Sequence, residues 1–274
     1  MTPVTCPSMS PRLLGVLNVT PDSFSDGGRF MDPTVAVAHA HKMVAEGADI
    51  IDIGGESTRP GSRPVTVEEE LQRVLPVIEA LAGTIRVSVD TRRTEVARAA
   101  VAAGATIIND ISASLWPVAA ELGVGWIAMH MQGEPATMQH APHYHDVVGE
   151  VCRFLDERAT QAQAAGVSEI WIDPGFGFGK NVDHNVTLLA NLDQLVATGW
   201  PVAVGASRKS TLGWLLARSD GADEPVPTDD RLVGSVVSAA YAIACGVDLV
   251  RVHDVAPTRQ AATVLIGDTD RRRT

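Results

Sequence analysis

The sequence predicts an α/β fold built as one closed parallel barrel of eight strands. Three observations carry this expectation. Eight apolar runs of strand length recur along the chain. Each is followed by a stretch with helical period, and seven of those stretches end on a glycine. The units are regular, about 30 residues each, which implies strands joined by helical crossovers and hence a parallel sheet. An open doubly wound sheet competes, but eight such units in about 250 residues favour the (β/α)8 TIM barrel.

The apolar runs are residues 13–19, 49–53, 85–89, 106–111, 126–129, 170–172, 201–204 and 247–252. They are rich in Val and Ile without strict alternation, as strands covered on both faces require. Between them lie helix signals. Asp32-Pro33 is an N-cap followed by proline at the first helical position. Thr66-Val-Glu-Glu69 is a capping box, and Leu71, Val74, Leu75 and Ile78 then form one apolar face. Val96, Ala99, Ala100 and Ala103 repeat that spacing, and Leu188, Leu192, Leu195 and Val196 hold another face. Asp183-His184 marks a helix start. Gly47, Gly83, Gly104, Gly123, Gly166, Gly199 and Gly246 sit where helices should stop. Residues 217–229, with Gly, Pro and Asp, read as a loop before a new helix near Asp230. No linker or low-complexity segment appears. The expected organisation is a flexible segment at 1–12, a barrel at 13–267 and a tail at 268–274.

Composition narrows the function classes. The chain has 274 residues, 45% hydrophobic and 20% charged, with a formal net charge of −11. Such an acidic protein is a poor general binder of nucleic acid or of an anionic membrane. Cys6, Cys152 and Cys245 are far apart, odd in number and without metal-ligand spacing. Free thiols in a reducing cytoplasm are the expectation. Residues 1–12 lack an apolar core and do not read as a signal peptide. No run approaches the ~18 apolar residues needed to span a bilayer. An anionic substrate would need positive charge concentrated at one place.

Barrel chemistry gathers at the carboxyl ends of the strands. Those ends carry Asn18; Asp52; Asp90-Thr91-Arg92; Asn109-Asp110; Met129-His130; Asp173 and the run Pro174 to Gly179; Ser207-Arg208-Lys209; and Arg251 with His253, two apart and on one face. Buried charges need partners. The set is either a structural ion network or a site for a polar, partly anionic ligand, and position alone favours the site. Arg59, Arg63, Arg208, Lys209, Arg251 and His253 lie at this same end. Arginine forks match phosphate and carboxylate, which points to a phosphorylated substrate. Three other features carry less. His140, His143 and His145 share one loop, but Pro142 and irregular spacing argue for a solvated loop rather than a metal site. Gly175, Gly177 and Gly179 lack the dinucleotide-binding spacing and suit tight turns. The five tryptophans are scattered and read as packing residues.

The motifs together resemble one family. Gly15-Val-Leu-Asn-Val-Thr-Pro-Asp-Ser-Phe-Ser-Asp-Gly-Gly28 resembles the first signature of the dihydropteroate synthases, and Asp52-Ile-Gly-Gly-Glu-Ser-Thr-Arg-Pro-Gly61 the second. Ser88 to Thr91, Asn109-Asp110, Met129 to Gly133, Asp173 to Phe178, Gly205 to Ser210 and Arg251 to Asp254 follow in the family's order. The resemblance runs from about Leu13 to about Thr263. It implies a transferase of folate biosynthesis. Such an enzyme condenses 6-hydroxymethyl-7,8-dihydropterin diphosphate with 4-aminobenzoate, giving 7,8-dihydropteroate and diphosphate. It also implies a homodimer, a Mg²⁺ cofactor and sulfonamides as competitors. By the same resemblance, Asp90, Asn109, Ile111, Met129, Asp173, Gly205 and Lys209 line the pterin pocket. Asn18, Arg59, Arg251 and His253 meet the diphosphate, with Asn18 the metal ligand. Phe24, Thr58, Arg59, Pro60, Phe178 and Ser210 surround 4-aminobenzoate. Asp26, Arg59, Lys209, Arg251 and His253 are the expected catalytic residues. The implied chemistry is dissociative, with diphosphate leaving before the aromatic amine attacks. Two departures stand out. Ser112-Ala-Ser-Leu115 replaces a glycine-containing turn in a shortened segment, and Thr211 stands where a bulkier apolar residue is frequent. Two other readings fit less of the pattern: a methyltetrahydrofolate methyltransferase-like barrel, and a non-catalytic pterin-binding paralogue.

Overall fold

The computed structural model describes residues 11–20, 32–57, 65–135 and 137–267. Eight strands appear: β1 (Arg12–Asn18), β2 (Ile50–Gly54), β3 (Val87–Asp90), β4 (Ile107–Asp110), β5 (Gly125–Met129), β6 (Ile170–Asp173), β7 (Ala203–Val204) and β8 (Leu249–Val252). All pairs are parallel, in the order β6-β5-β4-β3-β2-β1-β8-β7. One bridge, Ile172 to Val202, brings β6 back to the short β7. The Ile172 amide donates to the Pro201 carbonyl at 2.9 Å beside it. The barrel is therefore nearly closed, as the eight regular units predict.

The helices begin where their caps are written. In α1 (Pro33–Ala45), the Asp32 carboxylate accepts from the Thr34 amide at 2.8 Å. In α2 (Val67–Leu81), Thr66 Oγ1 accepts from the Glu69 amide and Glu69 Oε2 accepts from the Thr66 amide, so two orphan donors are satisfied together. The other helices are α3 (Thr94–Ala102), α4 (Trp116–Leu122), α5 (Val147–Ala164), α6 (Val182–Ala190), α7 (Leu192–Val196), α8 (Ser210–Asp220), α9 (Leu232–Ala244) and α10 (Val255–Ile266). All seven glycines expected to stop helices have positive φ.

Several expectations need correction. The apolar face of 188–196 belongs to two helices, because Asn191 leaves helical geometry at φ −123°, ψ 31° between α6 and α7. Leu188, Leu192 and Leu195 are buried all the same. The expected loop at 217–229 starts later, since α8 runs to Asp220 and stops at left-handed Gly221. The buried face of α3 is Val96, Ala97 and Ala100, with Ala103 half-buried against the same core and Ala97 in place of the expected Ala99. Trp214 is 38% exposed and does not pack in the core.

The position of the site follows from strand alternation. Leu14, Ile50, Ile107, Ile127, Trp171, Ala203 and Leu249 point inward and form one buried apolar layer. A separate and larger core fills the space between strands and helices. Two residues further along, the same strands present Val16, Asp52, Asn109, Met129, Asp173, Gly205 and Arg251. A period of two puts these on the same inward face. The interior thus changes from apolar to ionic within one step of each strand.

Candidate active site

Asp52 lies at the centre of the ionic layer and is fully buried. Its Oδ2 accepts from Asn109 Nδ2 at 2.9 Å and from Arg251 Nε at 2.7 Å. Arg251 Nη2 donates to Asp90 Oδ2 at 2.7 Å. Burial opposes the charge on Arg251, yet Asp52, Asp90 and Asp173 overcome it and raise its pKa. Burial also pushes the Asp90 carboxyl up to about 7, against the pull of Arg251. Asp173 is raised by burial too, although its Oδ1 accepts from the Gly175 amide at 2.7 Å. Gly205 leaves the space between them open. A Cβ there would stand 3.5 Å from Arg251 Cβ and 3.8 Å from Asp173 Oδ2.

Lys209 completes this wall. Its ammonium donates to the Phe176 carbonyl and lies 4.1 Å from the centre of the Phe178 ring. Burial lowers its pKa to about 7, against the attraction of Asp173. Ile111 and Met129 are buried. Ser207 connects the end of β7 to β8: its hydroxyl lies 3.1 Å from His253 Nδ1 and accepts from the His253 amide at 3.2 Å. Asn18 ends β1, half-buried, with its Oδ1 facing Gly54, where a Cβ would lie 3.6 Å away. Ser210 is exposed at the first turn of α8.

The expected residues therefore gather at one barrel mouth: Asn18, Asp90, Asn109, Ile111, Met129, Asp173, Gly205, Lys209, Ser210, Arg251, His253 and Phe178. Phe24, Asp26, Thr58, Arg59, Pro60 and Arg63 lie outside the described residues. Arg208 is a correction. Its guanidinium pairs with Asp254, Nε to Oδ2 at 3.0 Å and Nη2 to Oδ1 at 2.6 Å, so it clamps the start of α10 rather than facing a phosphate. Its φ of 58° turns it away from its neighbour Lys209. Asp110 likewise points outward. It accepts from the Ser112, Ser114 and Leu115 amides and from Trp126 Nε1, holding the turn in which Ala113 adopts φ 48°. That turn is where the sequence departs from a glycine pattern, and Asp110 supplies the hydrogen bonds that hold it.

Lys180 is a residue that sequence reading did not single out. It is 2% exposed. Its Nζ donates to the carbonyls of Gly175 (3.1 Å) and Phe178 (3.0 Å) and lies 2.9 Å from His130 Nδ1. Burial lowers its pKa to about 7. Burial and Lys180 together depress His130 to about 3, so His130 stays neutral with Nδ1 as an acceptor. Tyr144 Oη adds a hydrogen bond to the Gly179 carbonyl at 2.9 Å. The glycine run is a fold around this cation: Gly175 has φ 66°, and a Cβ there would be 1.9 Å from the His130 carbonyl. The only sequence signal was a lysine directly after three alternating glycines.

His140, His143 and His145 are exposed. The rings of His143 and His145 pack edge-on at 4.9 Å. Among the described residues, no group of three His, Cys, Asp or Glu could hold a metal ion.

Comparison with known proteins matches this arrangement. The family described as pterin binding enzyme matches residues 14–253. The dihydropteroate synthase of Escherichia coli K12 is 48% identical over 263 residues, covering 93% of this chain and 90% of that protein. The chain belongs to the dihydropteroate synthase family. The Xanthomonas albilineans enzyme, solved with 4-aminobenzoic acid, superimposes with a TM-score of 0.84 at 50% identity, covering 93% of this chain and 91% of that one. The same enzyme with 7,8-dihydropteroate gives 0.81 at 47% identity, covering 93% and 92%. The Yersinia pestis enzyme in a sulfonamide drug complex gives 0.85 at 44% identity, covering 94% and 93%. Burial raises both Asp90 and Asp173, and these carboxyls share one mouth with the buried cations Arg251 and Lys209.

Proposed function

We propose that this chain condenses 6-hydroxymethyl-7,8-dihydropterin diphosphate with 4-aminobenzoate, yielding 7,8-dihydropteroate and diphosphate in folate biosynthesis. One observation carries the residue assignment: the barrel holds acceptors and cations in a single connected set, from Asn109 through Asp52 to Arg251 and Asp90. A pterin edge offers amino and ring N–H donors. Asp90, Asp173 and the amide oxygen of Asn109 are the matching acceptors, and the Lys209 ammonium matches the pterin carbonyl. Ile111 and Met129 supply apolar walls, and Gly205 keeps the floor clear.

In this reading the C–O bond to diphosphate breaks first and its electron pair leaves with the oxygen. Arg251 and His253 hold the growing negative charge, and fixed cations do this with little reorganisation. The amine of 4-aminobenzoate then attacks the electron-poor methylene carbon and loses a proton. Phe178 and Ser210 stand at the mouth where that amine enters; the family resemblance assigns Phe24, Thr58, Arg59 and Pro60, which lie outside the described residues, to the same substrate. Asp26 of the first signature and Arg59 of the second, both outside the described residues, are assigned catalytic roles by the family resemblance.

Asn18 fits a magnesium ion carried in with diphosphate. It offers one hard oxygen and no ready-made protein cage, the pattern by which Mg²⁺ keeps its waters and substrate phosphates as ligands. Bound there, the ion would neutralise charge on the leaving group.

Sulfonamides would compete for the 4-aminobenzoate position. A homodimer is supported by α9, where Val233, Val237 and Tyr241 are exposed at helical spacing, at 66%, 62% and 43%. A cytoplasmic setting agrees with the free thiols expected from the sequence. No helix among the described residues is long and apolar enough to cross a membrane.

The test is diphosphate release from 6-hydroxymethyl-7,8-dihydropterin diphosphate and Mg²⁺, with and without 4-aminobenzoate. Release that depends on 4-aminobenzoate supports the synthase. Tight pterin binding without release would leave a pterin-binding paralogue.

A further inference from the structure

The Asp52 carboxylate is shared by Asn109 and Arg251. It sits mid-strand, opposite Val16 and Ser88 in the sheet register, with no exposed surface. Only Oδ2 is used: it receives both Asn109 Nδ2 and Arg251 Nε. Oδ1 is buried with no hydrogen-bond partner. A buried acceptor left empty is costly, so an arriving donor is favoured.

The donor is already adjacent. A guanidinium meets a carboxylate best as a two-pronged fork, with Nε on one oxygen and Nη on the other. Arg251 makes only half of that fork with Asp52, because its Nη2 is engaged by Asp90 Oδ2 at 2.7 Å. Yet Asp90 is an acceptor that the proposed function assigns to the pterin. A pterin N–H that approaches Asp90 at Oδ2 competes there with Nη2, and Asp52 Oδ1 offers Nη2 another acceptor.

Resting on that reading, we infer that Asp52 is a positioning residue that takes Arg251 Nη2 onto its empty Oδ1 when a pterin N–H arrives at Asp90. The exchange frees Asp90 for the substrate while the Nε bond keeps Arg251 in place for the leaving group. Asp52 also orients Asn109. A carboxylate can only accept, so the amide must turn its NH₂ toward Asp52 and its oxygen away from it. One side chain thus couples pterin recognition to the cation beside the diphosphate.

The experiment uses Asp52→Asn in the full chain. This variant keeps the size of the side chain, and its amide oxygen can still accept from Asn109 and Arg251 Nε. Its NH₂ replaces the empty acceptor, so the exchange is blocked. Affinity for 6-hydroxymethylpterin, measured by calorimetry, should fall by about tenfold, the scale of one hydrogen bond to a charged group. The kcat should fall as well, while KM for 4-aminobenzoate stays within about twofold. The melting temperature falls under either role, because the variant leaves the buried Arg251 short of one charge partner; a merely structural role predicts unchanged pterin affinity in the folded variant. Should the variant not fold, a crystal structure of the wild type with 6-hydroxymethylpterin decides. Arg251 Nη2 on Asp52 Oδ1 supports the inference. Arg251 Nη2 still on Asp90, with the pterin bound, overturns it, as does wild-type pterin affinity in Asp52→Asn. A wild type that binds no pterin removes the functional reading itself.

Discussion

The two ends of the barrel interior use the same strands for opposite purposes. At the amino end, Arg12 and Arg86 close on Glu169, and the Arg12 guanidinium lies 4.7 Å from the centre of the Trp171 ring. Burial opposes the charge on Glu169, but Arg86 and Arg12 overcome it and hold the carboxyl below its usual range. Above that plug comes the apolar layer of Leu14, Ile50, Ile107, Ile127, Trp171, Ala203 and Leu249. One step further, Asp52, Asp90 and Asp173 meet Arg251 and Lys209. There the pKa values of Asp90 and Lys209 converge near 7, and one carboxylate oxygen has no partner. At the lower end two guanidiniums share one carboxylate whose charge they hold in place. At the upper end Arg251 is shared by Asp52 and Asp90, while burial perturbs Asp90 and Lys209 and one oxygen of Asp52 stays unpaired, which is the condition of a site that expects a ligand.

Breaking each half should therefore give different phenotypes. Arg251→Ala should lower kcat/KM by about a thousandfold, since it removes a fixed donor from the leaving group. Steady-state kinetics with purified protein checks this. Lys209→Met should cost about a hundredfold in kcat/KM. It should leave the melting temperature at or above wild type, because burial already disfavours the lysine's charge and removing a strained functional group stabilises. A thermal scan beside the kinetics tests the pair of outcomes. Ile107→Ala in the lower layer should reverse the pattern, losing about 2–5 kcal/mol of stability while kcat stays within about threefold. Denaturant titration measures the first and turnover the second.

The pH dependence sharpens the same contrast. Asp90 must be ionised to accept from the pterin, so binding should weaken as pH falls through about 7. Lys209 must be protonated to meet a carbonyl, so binding should also weaken as pH rises through about 7. Pterin affinity should trace a bell centred near neutrality. Loss of the acid limb in Asp90→Asn would assign that limb. The smallest expected effect is Ala113→Gly. Relieving a left-handed alanine at φ 48° should stabilise by about 0.5–1 kcal/mol without touching activity.

Much of this was legible in the sequence because it is local. Apolar runs and helix-stopping glycines are written in consecutive residues, and all eight strands fall within a few residues of the expected ones. The strand-end rule then brought Asp90, Asn109, Asp173 and Arg251 to one mouth. What was not legible depends on partners distant in the chain or on backbone. Asp52 and Arg251 are 199 positions apart, and nothing in either motif says that they touch. The acceptors of Lys180 are mainly carbonyls, which every residue carries. Arg208 and Lys209 are adjacent cations with the same apparent claim on a phosphate. Only the left-handed backbone at Arg208, and its clamp on Asp254, separate them. The break at Asn191 was hidden because Leu188, Leu192 and Leu195 keep their helical spacing across it.

The most direct test of the central claim is to identify the product by mass spectrometry. Wild type and Arg251→Ala would each receive 6-hydroxymethyl-7,8-dihydropterin diphosphate, 4-aminobenzoate and Mg²⁺. The account predicts 7,8-dihydropteroate from the wild type, equal in amount to the diphosphate released, and almost none from the variant. Diphosphate without dihydropteroate from the wild type, or undiminished product from Arg251→Ala, would contradict it.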